Sequence, residues 1–167
     1  MSPRSVDPLT AEQVKTQNRL SDLATTLRGS VAKDDSQFLT FAIDAHASTL
    51  TVYRTGDRST VAENAYTRKA PPDLHVVFAR ALLSTRQADQ LHALVKTRRG
   101  WLEANGVDVV ACGVDGGPGP FKIWHSSTAE PDHTIVEPFL LFGPDTVRLE
   151  NLPEPFNYQD NFWRDAQ

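Results

Sequence analysis

The chain has 167 residues, 40% hydrophobic and 23% charged, with a formal net charge of −4. This is ordinary globular composition without the clustered lysine and arginine that displace counterions from nucleic acid, so DNA and RNA are set aside as partners. No apolar run approaches the roughly 20 residues that span a bilayer, Met1 to Leu9 lacks the pattern of a secretory leader, and the lone Cys112 excludes an internal disulfide; the expectation is a cytoplasmic protein with no membrane partner.

In chain order, residues 1–8 read as a flexible tail. Thr10 with Gln13 forms a capping box, in which each side chain satisfies a backbone N–H of the first turn. It opens a helix over about 11–28 whose apolar stripe is Val14, Leu20, Leu23, Ala24 and Leu27. Phe38 to Ile43 and Leu50 to Arg54 are β-rich runs joined by Asp44 to Ser48, short enough for a hairpin. Leu39, Phe41, Ile43, Leu50 and Val52 are its core candidates. Thr55 to Asp73, with Pro71-Pro72, reads as a surface excursion anchored by Val61 and Tyr66 and holding one helical turn.

Leu74, Val76 and Phe78 alternate as a strand. Ser84 and Gln87 form a second capping box, and Ala88, Leu91, Val95 and Leu102 make the buried stripe of a helix over about 85–105, ended by Asn105-Gly106. Val107 to Val114 is an apolar strand. Gly116 to Pro120 is a turn, and Phe121 to Trp124 returns. The spacing predicts that the strands flanking this helix form one sheet beneath it. His125 to Asp132 is a loop. Thr134 to Phe142 is an edge or broken strand because Pro138 offers no ladder donor. Val147 and Leu149 make a short strand after the Gly143-Pro144-Asp145 turn. No internal repeat is visible. The fold class is α+β: a mainly antiparallel sheet, with the 85–105 helix packed on it and the N-terminal helix beside it, forming one domain over 9–150. Residues 151–167 are an extended aromatic tail.

The run Phe38-Leu39-Thr40-Phe41-Ala42-Ile43-Asp44, the strand Thr49 to Tyr53, the strand Val76-Val77-Phe78, a helix from Ser84 and Gly106-Val107-Asp108-Val109-Val110 follow in a telling order. Over about residues 38–124 this order resembles the pro-region domains of bacterial chymotrypsin-like serine proteases, the streptogrisin and α-lytic type. The resemblance implies a small α+β domain with a three- to four-stranded sheet that assists folding of a protease and inhibits it.

Few constellations carry chemistry. His125, Glu130, Asp132, His133 and Glu137 lie close in sequence, and imidazole with carboxylate can hold a divalent ion. The alternative is a solvated polar loop. His125, His133 and Glu137 are retained as a polar site candidate on which a small metal-dependent enzyme would be built. His92, flanking the helical stripe, reads as a partly covered surface histidine. Cys112 sits mid-strand, where burial raises a thiol pKa. The Gly116 to Gly119 run lacks the following helix that a phosphate loop needs. Lys96, Arg98 and Arg99 read as a solvated helix face. No catalytic residue, metal or cofactor is assigned. Phe156, Tyr158, Phe162 and Trp163 offer aromatic anchors, so the expected function is a non-catalytic protein-binding or assembly module that engages another protein or itself.

Overall fold

The computed structural model describes residues 7–115 and 117–152. Both capping boxes form: Thr10 and Gln13 satisfy each other's backbone N–H at the start of α1 (Ala11–Ser30), and Ser84 and Gln87 do so at the start of α3 (Thr85–Thr97). The chain divides into two compact units, one ending at Ala81 and the other beginning at Leu82.

In the first unit, β1 (Phe38–Asp44) and β2 (Thr49–Arg54) form the expected hairpin, pairing Phe41 with Val52 and Ile43 with Leu50. The excursion after it is a crossover. Its helix α2 (Thr60–Thr67), capped by Ser59, carries the chain back so that β3 (His75–Arg80) runs parallel to β2. Parallel neighbours need such a connection. Leu20, Leu23, Ala24 and Leu27 of α1, Tyr66 of α2 and Phe38, Leu50 and Val52 of the sheet make one core. Val14 stays largely exposed, one turn or more before that stripe begins. Ile43 is also exposed, near the far end of β1. A bulge between Phe38 and Thr40 shifts the alternation, so Phe38 and Phe41 face the core together, ring centroids 4.7 Å apart.

In the second unit the 85–105 helix is broken. Arg98 leaves helical geometry at φ −96°, ψ 9°, beside Gly100 with its poor helix propensity, and α4 (Arg99–Ala104) follows. Leu91, Val95 and Leu102 are fully buried. The C-terminus is a Schellman motif: Val107 N–H reaches Leu102 O at 2.9 Å and Gly106 N–H reaches Glu103 O at 3.1 Å. Gly106 has φ +85° and open space around the position of a Cβ. Gly106→Ala therefore meets backbone strain and no clash, and urea unfolding should show a loss of about 1 kcal/mol.

β4 (Val109–Val114) and β5 (Phe121–His125) are antiparallel, and β6 (Val147–Asn151) is parallel to β5. Residues 133–139 form a 3₁₀ helix and not the expected edge strand. Asp132 caps it, and Ile135 and Phe139, four apart, both reach the core. Helical spacing wins because Pro138 would break a ladder.

The class is α+β with two three-stranded sheets, each mixed instead of mainly antiparallel. The sheet expected beneath the second helix does not form as one, because β3 pairs with β2 and β5 pairs with β6.

The units also repeat each other. Each is a helix, a hairpin, a short helical crossover and a third strand parallel to the second. Thr55 N–H bonds Gln37 O and Ala81 N–H bonds Arg54 O; Ser126 N–H bonds Asp108 O and Leu152 N–H bonds His125 O, at one constant separation along the chain. Residues 50–54 and 121–125 alternate buried and half-buried in the same phase. The repeat escapes sequence inspection because equivalent positions share hydrophobicity and little identity, as Leu50 with Phe121 and Val52 with Ile123.

Candidate functional site

Of the residues singled out from sequence, Phe156, Tyr158, Phe162 and Trp163 lie outside the described residues. The other group is not brought together as a ligand set. His133 and Glu137 are exposed on the 3₁₀ helix, and His133 Nε2 pairs with Glu130 Oε1 at 3.1 Å. His125 ends β5 on its inward face and is only 3% exposed. Its Nδ1 is buried and has no hydrogen-bond partner among the described residues. Burial, and then the nearby His133, push its pKa below the ordinary value, opposed by Glu130 and Asp108. Among the described residues no group of three or more histidine, cysteine, aspartate or glutamate side chains is placed to hold a metal ion. Burial pushes the Cys112 thiol up to about 12, which keeps it protonated at neutral pH.

The equivalent position of the first unit holds Arg54, also buried, and there the charge is paired. Asp35 Oδ2 accepts from Arg54 Nε at 2.6 Å and from Tyr66 Oη at 2.7 Å; Oδ1 accepts from Arg54 Nη2 at 3.0 Å and from Gln37 N–H at 3.1 Å. Burial alone would raise the Asp35 pKa, but the bonds from Arg54, Tyr66 and Gln37 outweigh it and hold the carboxyl below its usual value. Tyr66 is driven upward by burial and by Asp35, so it stays a donor. Its ring lies edge-on to Phe41 and Phe78 at 6.4 and 5.9 Å. This network ties the segment before β1, the end of β2 and the crossover helix together. Sequence reading passed over it, because Asp35 falls in a polar linker and nothing local marks its partners.

The crossover helix leads into β3, an edge strand of its sheet. A free edge presents unpaired N–H and C=O groups to any extended segment. The four edge strands are not alike. β1 and β4 carry bulges, and β6 is charged at Arg148 and Glu150. β3, His-Val-Val-Phe-Ala-Arg, has no bulge and carries a charge only at its last residue, Arg80; it pairs regularly with β2 and leaves Val77 44% exposed. Beside its first half an open cleft of about 590 Å³ is lined by Thr49, Thr67, Pro71, Pro72, Leu74 and Val76, among others. Apart from His75, its walls are apolar and hydroxyl groups suited to the alternate side chains of an added strand. No helix among the described residues is long and apolar enough to cross a membrane. No protein-family model matches this sequence and no curated protein is significantly similar to it.

Proposed function

We propose that this chain is a non-catalytic protein-binding module that takes an extended segment of another protein, or of a second copy, onto the free edge of β3. The observation that carries the reading is the bulge-free edge of β3, unpaired among the described residues and uncharged before Arg80, with its adjoining cleft. Main-chain hydrogen bonds would supply affinity, and the Thr49–Pro71–Leu74 cleft would select side chains. A reducing, cytoplasmic setting belongs to this reading and suits the free, buried Cys112.

The test is a library of extended peptides screened on the immobilised full chain. Binders should slow hydrogen exchange of β3 amides, and Val77→Lys, which places a charge where edge pairing must occur, should weaken them by tenfold or more without lowering the melting temperature. Peptides that protect no β3 amide, or that bind Val77→Lys equally well, would overturn the reading. Light scattering of the free protein separates a second copy from a foreign partner.

A second reading, an inhibitor or folding assistant of a serine protease, draws on the fact that residues 38–80 form one three-stranded sheet. An inhibition assay against chymotrypsin-like proteases removes it if activity is unchanged at a large excess of the protein.

A further inference from the structure

Parallel strands β2 and β3 end side by side, and at their carboxyl ends lies a cavity of about 160 Å³. Such ends are where open sheets of parallel strands receive ligands. The volume holds about five waters at roughly 30 Å³ each. It is well below the 300 Å³ or so at which pockets for larger organic ligands begin. Only a small ion or the tip of a larger molecule fits.

Three arginines line it from separate positions: Arg54 ending β2, Arg58 in the connection to α2, and Arg80 ending β3. Arg54 is nine-tenths buried, and Asp35 takes only its Nε and Nη2 hydrogens. Arg58 is clamped by Glu63, Nε to Oε1 at 2.8 Å, and lies over the Phe78 ring with its Cζ 5.9 Å from the centroid, which fixes it at the rim. Arg80 is exposed and makes no ion pair among the described residues.

Asp57 and Glu63 also line the cavity. Glu63 is committed to Arg58 and to the Ser59 N–H and Asp35 to Arg54, which leaves Arg80 as the lining arginine with no ion pair among the described residues. The connection bends at Gly56, φ +75°. Among the described residues the backbone N–H groups of Gly56, Asp57 and Arg58 donate no hydrogen bond. A guanidinium without an ion pair, together with successive N–H groups that have no acceptor among the described residues, on residues lining a hole of this size, is the chemistry of oxyanion recognition.

We infer that the carboxyl-end cavity framed by Arg54, Arg58 and Arg80 binds a small oxyanion, either a phosphate group or the terminal carboxylate of a peptide. The site is separate from the cleft beside the first half of β3 and stands whether or not that cleft takes a partner.

The experiment is a titration of the full chain followed by amide NMR shifts, at constant ionic strength held with chloride. The probes are inorganic phosphate, a tripeptide with a free C-terminus and the same tripeptide amidated. Saturable shifts of the Gly56, Asp57, Arg58 and Arg80 amides are expected with phosphate, with the free-ended tripeptide or with both, and none with the amide. Phosphate alone assigns a phosphate ligand; the free-ended tripeptide alone assigns a terminal carboxylate. Arg80→Gln, on an exposed strand end, should raise Kd at least tenfold while leaving the melting temperature unchanged. Shifts that stay linear for both anions overturn the inference, as do equal binding of the amidated tripeptide or an unchanged Kd in Arg80→Gln.

Discussion

Asp35→Ala should destabilise the first unit by about 3–5 kcal/mol, the loss seen when one member of a buried ion pair is removed. The carboxylate accepts four hydrogen bonds, and its side chain and that of Arg54 are 11% and 9% exposed. Removing it leaves a guanidinium and a phenol, both buried, without their acceptor, and desolvation of the cation dominates the cost. The measurement is amide exchange at Leu50 and Val52, fully buried strand residues, which should quicken by about a hundredfold or more. Replacing the whole network, Asp35→Leu with Arg54→Met and Tyr66→Phe, should restore most of the stability, because apolar groups of similar size need no acceptor. A loss below about 1 kcal/mol in the single variant would show that water reaches Arg54 freely.

The same carboxyl sets an acid limit. Its folded pKa is lowered, so its contribution is complete above the unfolded value of about 3.9 and is lost as pH falls through the folded value. Mild acid should spare this pair.

The second unit should begin to lose stability earlier, as pH falls below about 6.5. His125 occupies the place of Arg54, but among the described residues no acid is bonded to it: its Nδ1 is buried and unpaired there. The groups acting on it are His133, which opposes protonation, and Glu130 and Asp108, which favour it. With the folded pKa below the unfolded value of about 6.5, stability is full above that pH and falls as pH drops through it. The slope is at most about 1.4 kcal/mol per pH unit until the folded pKa is passed. All three tryptophans, Trp101, Trp124 and Trp163, lie after Ala81, so fluorescence-detected urea unfolding reports on this half of the chain. His125→Met should be near neutral at pH 7.5, since it removes an unsatisfied nitrogen along with the imidazole, and it should flatten the decline toward pH 5. Equal slopes in the two proteins would mean that another group carries the acid sensitivity.

Much of the local structure was legible from sequence because its causes are local. The Thr10–Gln13 and Ser84–Gln87 boxes, the hairpin about Asp44 to Ser48 and the Gly106 helix end each depend on a few neighbouring side chains and dihedrals. The stripes of α1 and α3 follow from the 3.6-residue period, although Val14 shows that the period continues past the surface it covers. Of the candidate sites, little was legible. The histidines of the 125–137 stretch drew notice for proximity in sequence, yet the fold buries one and exposes the next. The edge of β3 is invisible in its own sequence, because being an edge means lacking a neighbour on one side.

The sequence by itself determined an α+β protein of two helix-rich segments alternating with short strands, along with where most of those elements begin and end. Only the tertiary structure decided that β3 turns back to β2 while β4, β5 and β6 build a second sheet, and that the two units repeat one topology. Strand partners are chosen by which buried faces can close over a common core. That choice sums many weak contacts between residues far apart in the chain, as Asp35 with Arg54 and Tyr66 do, and no single stretch records it.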